Sequence, residues 1–291
     1  MNTTAARNLI LDSPGSVSLD QVDPDDTGGL DKKEALQELG QLQKRLGELQ
    51  ELLYAAKQHS VLIVLQGMDT SGKDGTVKHV MADVDPAGCQ VAYFSVPTSK
   101  EVSHDFLWRV HKRTPAHGML AIFNRSHYED VLVARVHKLV APEVWEARYE
   151  QINNFEHLLA QNDTILLKFF LHISKKEQES RLLAREQDST KGWKLSVSDW
   201  KERRFWQAYQ EAYEAALSRC ARPWAPWQIV PANKKWYRNV VIARAIVKRL
   251  EAYQMTWSRD LEKESRKARE ELQAYRDRAK PSHERTGSSD T

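Results

Sequence analysis

The chain has 291 residues, 43 Lys and Arg against 40 Asp and Glu, and a formal net charge of +3. So even a balance excludes a protein built around a global basic field, and no specific nucleic-acid or membrane partner is expected. Two cysteines, Cys89 and Cys220, provide neither a disulfide framework nor a metal-ligand cluster. No basic-then-apolar leader opens the sequence and no apolar run reaches membrane-spanning length, so the expected address is the cytoplasm.

Residues 1–30 mix Asp, Pro, Gly, Ser and Thr without period and are expected to form a flexible arm. Leucines at 36, 39, 42, 46, 49, 52 and 53 then recur three or four apart, an amphipathic helix whose stripe packs on the core or mediates assembly. Five short apolar runs follow, at 61–66, 90–96, 119–124, 164–171 and 227–231. They alternate with helical patterns at 73–82, 101–112, 143–161, 174–187, 198–219 and 234–253. Strand and helix in alternation predict a parallel sheet covered on both faces, an α/β three-layer sandwich with five parallel strands. One main α/β domain is thus expected over 31–255. Beyond it lie a charged helix and a disordered tail over 256–291.

The first apolar run ends at Gly67-Met-Asp-Thr-Ser-Gly-Lys73, a glycine, four residues, then Gly-Lys. That is the spacing of a phosphate-binding P-loop, whose glycines let backbone N–H groups converge on phosphate oxygens while the lysine adds a mobile charge. A bare match arises by chance in roughly one chain of this length in ten. Here a buried-strand run precedes it and Val77, Val80 and Met81 follow at helical spacing, which supports a true phosphate loop. Gly67, Thr70, Ser71, Gly72, Lys73, Gly75 and Thr76 are therefore candidate phosphate contacts, with Lys78 on the helix that follows.

P-loops ordinarily place Ser or Thr after the lysine, to hold Mg²⁺; this chain has Asp74. Asp69 lies inside the loop, where a carboxylate beside phosphates needs a metal or a shared proton between them. It reads either as a Mg²⁺ ligand or as a carboxylate orienting an attacking phosphate. A turn-forming role is the bland alternative.

The run at 119–124 leads into Asn124, Arg125, Glu129 and Asp130. Ligands of open parallel sheets sit beyond the carboxyl ends of strands, so these residues are expected beside the loop. Arg125 can hold phosphate oxygens bidentately; Glu129 and Asp130 can hold a metal directly or through water. His127 reads as a packing residue. Further on, residues 175–204 carry nine basic against six acidic residues, a local excess equal to that of the whole chain. Asp188-Ser-Thr-Lys-Gly192 is a turn-rich break within this segment, which is expected to grip anions through Arg181, Arg185, Lys191 and Lys194.

The loop extended to Thr76, together with Phe123-Asn-Arg-Ser-His-Tyr-Glu-Asp-Val-Leu132, resembles the polyphosphate kinase 2 family. Trp193-Lys-Leu-Ser196 and Pro231-Ala-Asn-Lys-Lys-Trp-Tyr-Arg-Asn239 extend the likeness over roughly residues 35–253. In that family Asp is usual after the loop lysine, so Asp74 fits. The resemblance implies a thymidylate-kinase-like P-loop fold and reversible, Mg²⁺-dependent phosphoryl transfer between inorganic polyphosphate and nucleotides. It also implies that 31–255 is a phosphotransferase domain with a mobile helical lid over the phosphate donor at about 175–204, catalytic roles for Asp69, Lys73 and Arg125, and assembly as a dimer or tetramer. The second motif looks most like the class III branch, whose members convert AMP to ADP and ADP to ATP. Two other readings stay open on the residues alone. One is an ATP-dependent nucleotide kinase of similar fold, against which Lys73-Asp74 speaks. The other is a binding module for polyphosphate or nucleotide without turnover.

Overall fold

The computed structural model describes residues 9–188 and 197–279. Its centre is a six-stranded sheet built from β1 (Leu9–Leu11), β2 (Ser60–Gln66), β3 (Cys89–Tyr93), β4 (Leu120–Asn124), β5 (Thr164–His172) and β6 (Trp227–Pro231), in the order β1-β6-β5-β2-β4-β3. The five strands β2 to β6 are mutually parallel, at the runs expected from sequence. Every residue of β2, β4, β5 and β6 is buried. Burial on both faces is why these strands read as continuous apolar runs.

The helices fall into two contact groups. In one, α1 (Lys32–Ala56), α2 (Lys73–Val80) and α10 (Lys235–Ala279) pack on one another; in the other, α5 (Val133–Val136), α6 (Pro142–Gln161) and α9 (Trp206–Arg219) do. Sheet and helix groups make the three-layer sandwich. No helix among the described residues is long and apolar enough to cross a membrane.

Local chemistry sets the helix starts. Asp31 accepts N–H bonds from Lys33 and Glu34 at the head of α1, and Ser174 accepts from Glu177 at the head of α7 (Lys175–Gln187). Pro142 occupies the first turn of α6, where its missing N–H costs nothing.

Four features differ from the sequence expectation. The sheet has a sixth strand, because Leu9–Leu11 pairs antiparallel with β6. The segment 9–30, expected within a mobile arm, is fastened to the body: Leu19 is fully buried, and Asn233 receives Asp25 and Pro24 as partners. The single helix expected over 101–112 is two short turns, α3 (Ser99–Val102) and α4 (Trp108–His111), since Thr98 and Glu101 close a capping box on the first. Finally, α10 runs unbroken through residue 255, where a domain boundary was expected; no Gly or Pro interrupts it. The expected tail over 280–291 lies outside the described residues.

β2 is flanked by β4 on one side and β5 on the other, with its chain neighbours leaving in opposite directions. This is the switch point of the sheet, where a crevice opens at the strand carboxyl ends. Gln66 and Asn124 stand at that edge.

Candidate functional site

The loop between β2 and α2 is a tight turn that two glycines make possible. Gly67 has φ +149°, and a Cβ there would lie 2.7 Å from the carbonyl oxygen of Leu171 on β5. Gly72 has φ +105°, and its Cβ would fall 1.8 Å from Nη1 of Arg238. Thr70 between them also takes the left-handed conformation, with φ 64°.

Side-chain donors take the carbonyl oxygens of this loop one after another. Lys73 Nζ donates to Gly67 (2.7 Å) and Met68 (3.3 Å), and Gln178 Nε2 donates to Asp69 (3.2 Å). Arg181 Nη1 donates to Thr70 (2.9 Å) and Ser71 (3.0 Å), and Arg238 Nη1 to Ser71 (3.2 Å). With the negative ends of five successive peptides so held, amide N–H groups of the loop and of the first turn of α2 are left as its anion donors. The buried hydroxyls of Thr70, Ser71 and Thr76, and Oε1 of Gln66, have no hydrogen-bond partner among the described residues. Buried polar atoms are rarely left unpaired, so such a concentration marks a place for ligand or water.

The motif after β4 supplies the opposite wall. Arg125, with φ 64°, donates its own N–H to the Leu65 carbonyl of β2 (3.2 Å). Its guanidinium lies 2.7 Å from Asp69 Oδ1 and 3.5 Å from Glu129 Oε2, with the side chain 42% exposed. Burial opposes its charge, but Glu129 and Asp69 outweigh that and hold it firmly protonated. Glu129 accepts from Gln66 Nε2 (3.2 Å); burial pushes its carboxyl upward, against the pull of Arg125 and Lys73. Asn124 Nδ2 donates to Asp74 Oδ1 (2.7 Å), which ties the start of α2 to the end of β4. The Lys73 ammonium is pushed down to about 8, first by burial and then by the nearby Arg125 charge.

The structure thus gathers Gly67, Asp69, Thr70, Ser71, Gly72, Lys73, Asp74, Gly75 and Thr76 with Asn124, Arg125 and Glu129 around one crevice. Other candidates stand apart. Lys78 is exposed on the second turn of α2. Asp130 belongs to a different cluster: Arg148 Nη1 reaches its carbonyl (2.9 Å) and Oδ1 (3.4 Å), and Arg109 lies near. The metal expected between Asp69 and Asp130 therefore has no shared carboxylate cluster, and no group of three His, Cys, Asp or Glu forms one among the described residues.

Lid residues behave differently from the sequence expectation. Arg181 faces the loop backbone and not the crevice; its Nη2 also donates to Ala232 (2.6 Å) and Asn233 (2.9 Å), and its Nε to Glu177 (2.7 Å). Arg185 pairs with Asp199 on α8 (Val197–Glu202) at 2.7 Å. Lys191, Lys194 and the turn-rich break lie outside the described residues.

Sequence reasoning missed Gln66, Gln178 and Arg238. Arg238 carried a readable signal: it precedes Ile242 and Ile246 at four-residue spacing, on the buried stripe of α10. An arginine on such a stripe calls for a reason.

A family model described as polyphosphate kinase 2 matches residues 29–257. The AMP/ADP-polyphosphate phosphotransferase of Meiothermus ruber is 51% identical over 245 residues, covering 84% of this chain and 92% of its own. The ADP-polyphosphate phosphotransferase of Rhodopseudomonas palustris is 40% identical over 240 residues, 78% of this chain and 83% of its own. Among solved structures, the crystal structure of polyphosphate kinase 2 from Arthrobacter aurescens superposes with a TM-score of 0.82 at 41% identity, covering 87% of this chain and 92% of that one.

Proposed function

The chain belongs to the polyphosphate kinase 2 family, and from that premise we propose that it transfers phosphoryl groups reversibly between inorganic polyphosphate and nucleotides, AMP to ADP and ADP to ATP. The observation that carries the reading is the convergence of Asp69, Lys73 and Arg125 on a loop whose carbonyls are all turned to other partners. An ATP-dependent nucleotide kinase is the less favoured reading, because Asp74, held by Asn124, stands where such a loop carries its Mg²⁺-binding hydroxyl.

Phosphoryl transfer asks the protein to align two phosphates and to neutralise the oxygens of the group in flight. A terminal oxygen of the acceptor nucleotide attacks the end phosphorus of polyphosphate. The bond to the next bridging oxygen breaks, and the chain leaves one unit shorter. The acceptor phosphate is already largely ionised near neutral pH, so no strong base is needed. Lys73 exchanges its loop carbonyls for phosphate oxygens, while Arg125 balances charge on the transferring group. Lys78 on α2, with Arg185, Lys191 and Lys194 of the proposed lid over 175–204, is the proposed grip on the rest of the polyphosphate chain. Arg181 acts from behind, by fixing the loop.

The donor set suits a divalent ion of the magnesium type. Such an ion binds through one or two carboxylates plus substrate phosphates and waters, and Asp69 supplies one carboxylate inside the loop. Bound there, it would neutralise phosphate oxygens. Asp130, held by Arg148, is at most a contributor through water. The further partners in this reading are other copies of the chain, as a dimer or tetramer in the cytoplasm.

Incubation with ADP, polyphosphate and Mg²⁺ in the absence of ATP tests the proposal by luciferase luminescence. ATP should accumulate, AMP should yield ADP first, and chelating the metal should stop both. Binding of polyphosphate without nucleotide conversion would overturn the reading in favour of a non-catalytic module.

A further inference from the structure

Among the described residues the side chains of two Lys and Arg residues, Lys168 and Arg238, are fully buried, and they are treated differently. Lys168, 0% exposed, has Glu156 at 2.6 Å. Arg238, 1% exposed, has no carboxylate partner among the described residues: its Nε and Nη2 donate to the neutral Oδ1 of Asn239 (3.1 and 2.8 Å) and its Nη1 to the Ser71 carbonyl. The charge acting on it is another cation, Arg181, and burial together with that neighbour pushes its pKa down to about 9. An unpaired buried charge costs several kcal/mol unless something offsets it.

Its position suggests what does. The guanidinium fills the space a Cβ at Gly72 would take and lies 3.3 Å from the corresponding point at Gly75. It therefore sits directly under the second glycine of the loop and the first turn of α2, where the helix dipole already favours an anion. We propose that Arg238 is a positioning and electrostatic residue of the phosphate site, whose charge is left without an acid so that the polyphosphate end bound in the loop becomes its counter-ion. This inference rests on the phosphate-site reading above. It assigns to Gly72 a second duty, that of making room for the guanidinium.

Replacing Asn239 by Asp gives the discriminating variant. N239D places a carboxylate on Arg238, cancelling its charge while leaving the Ser71 bond in place. Tripolyphosphate affinity, measured by calorimetry, should fall about tenfold, the scale of one unit charge acting over several ångström at intermediate dielectric. The melting temperature without ligand should rise, and the further gain on adding tripolyphosphate should shrink. A purely structural Arg238 would give the same rise with unchanged affinity and unchanged ligand-induced gain, and that result overturns the inference. A second pair works in parallel: R238K, which keeps the charge, should bind within about threefold of the parent, whereas R238Q, which keeps a donor, should lose about tenfold. The reverse order would make Arg238 a mere clamp. If the unsubstituted protein itself fails to bind tripolyphosphate, the phosphate-site reading falls, and this inference falls with it.

Discussion

Lys73 meets two carbonyl oxygens of its own loop and, among the described residues, no carboxylate within bonding distance, which is the state of a cation awaiting an anion. Its protonated form is disfavoured in the folded, ligand-free protein, where it titrates near 8 against an ordinary 10.5. The sign of the consequence follows from proton counting. Between about pH 8 and 10.5 the unfolded chain holds the proton that the folded chain has lost, so this group makes stability rise with pH across that window. Polyphosphate pulls the other way, since it favours the ammonium. The kcat/KM for polyphosphate, which reports groups of the free enzyme, should therefore fall as pH rises past about 8. Lys73→Arg should flatten that limb, because a guanidinium stays charged, and Lys73→Ala should cut kcat by at least ~100-fold, about 2.7 kcal/mol. This much was legible in the sequence, because Gly-x4-Gly-Lys after a buried strand has few uses. Asp69 and Arg125 were legible too, although their 2.7 Å pairing was not, since it depends on a left-handed turn at Arg125 that no local pattern announces.

At the scale of elements, α7 shows where composition misleads. A basic helix that grips a ligand and one that braces a loop have the same residues; only the direction it faces separates them. Arg181 braces: one guanidinium serves four carbonyls, two from the loop and two from Ala232 and Asn233 just after β6, and so welds α7 to both segments. Gln178 and Arg203 extend the weld, Arg203 through the Lys175 carbonyl at 2.6 Å and a bond to Glu179. Arg181→Lys is accordingly not a conservative change, since an ammonium cannot span four acceptors in a plane. Both Arg181→Lys and Arg181→Ala should lower stability by about 3 kcal/mol, from the lost charge-assisted bonds and the carbonyls left buried. Denaturant melts check that figure. In steady-state assays the loosened loop should appear mainly as a lower kcat, with the salt dependence of polyphosphate affinity unchanged, because Arg181 adds little to the charge the ligand meets. A flattened salt response would instead place Arg181 in direct contact with polyphosphate.

For the whole molecule, the parallel strands were readable because burial on both faces forces unbroken apolar runs, and the sheet's switch point then follows from their order. The sixth strand was not. Three residues, Leu9 to Leu11, carry too little pattern to stand out from a polar neighbourhood, and only the open edge of β6 gives them a role. The same holds for the rest of the N-terminal segment, whose attachments are single contacts far apart in sequence: the Leu19 N–H to Glu214 (2.7 Å), the Val22 carbonyl to His172 (3.1 Å), and Pro24 and Asp25 to Asn233. Asn233 in turn presents its carbonyl to Arg181 and its Oδ1 to Ser174, so the segment ends on the same residue that anchors the loop brace. The two ends of the chain should thus differ sharply on removal. In α10, Trp257 is the last fully buried side chain, donating to His59 at 3.1 Å, and beyond Leu261 the helix is exposed throughout the described residues. Deleting residues 262–291 should leave the melting temperature within about 2 °C, since exposed positions contribute little to stability. Deleting residues 1–30 removes a buried leucine, an edge strand and two of the partners of Asn233, Pro24 and Asp25. It should cost about 3–5 kcal/mol and lower kcat by loosening Asn233, one of the four carbonyl acceptors that hold Arg181. Thermal melts and polyphosphate-dependent ATP formation on the two truncated proteins separate these outcomes. Equal losses at both ends would mean that the N-terminal segment is no part of the frame on which the phosphate loop is built.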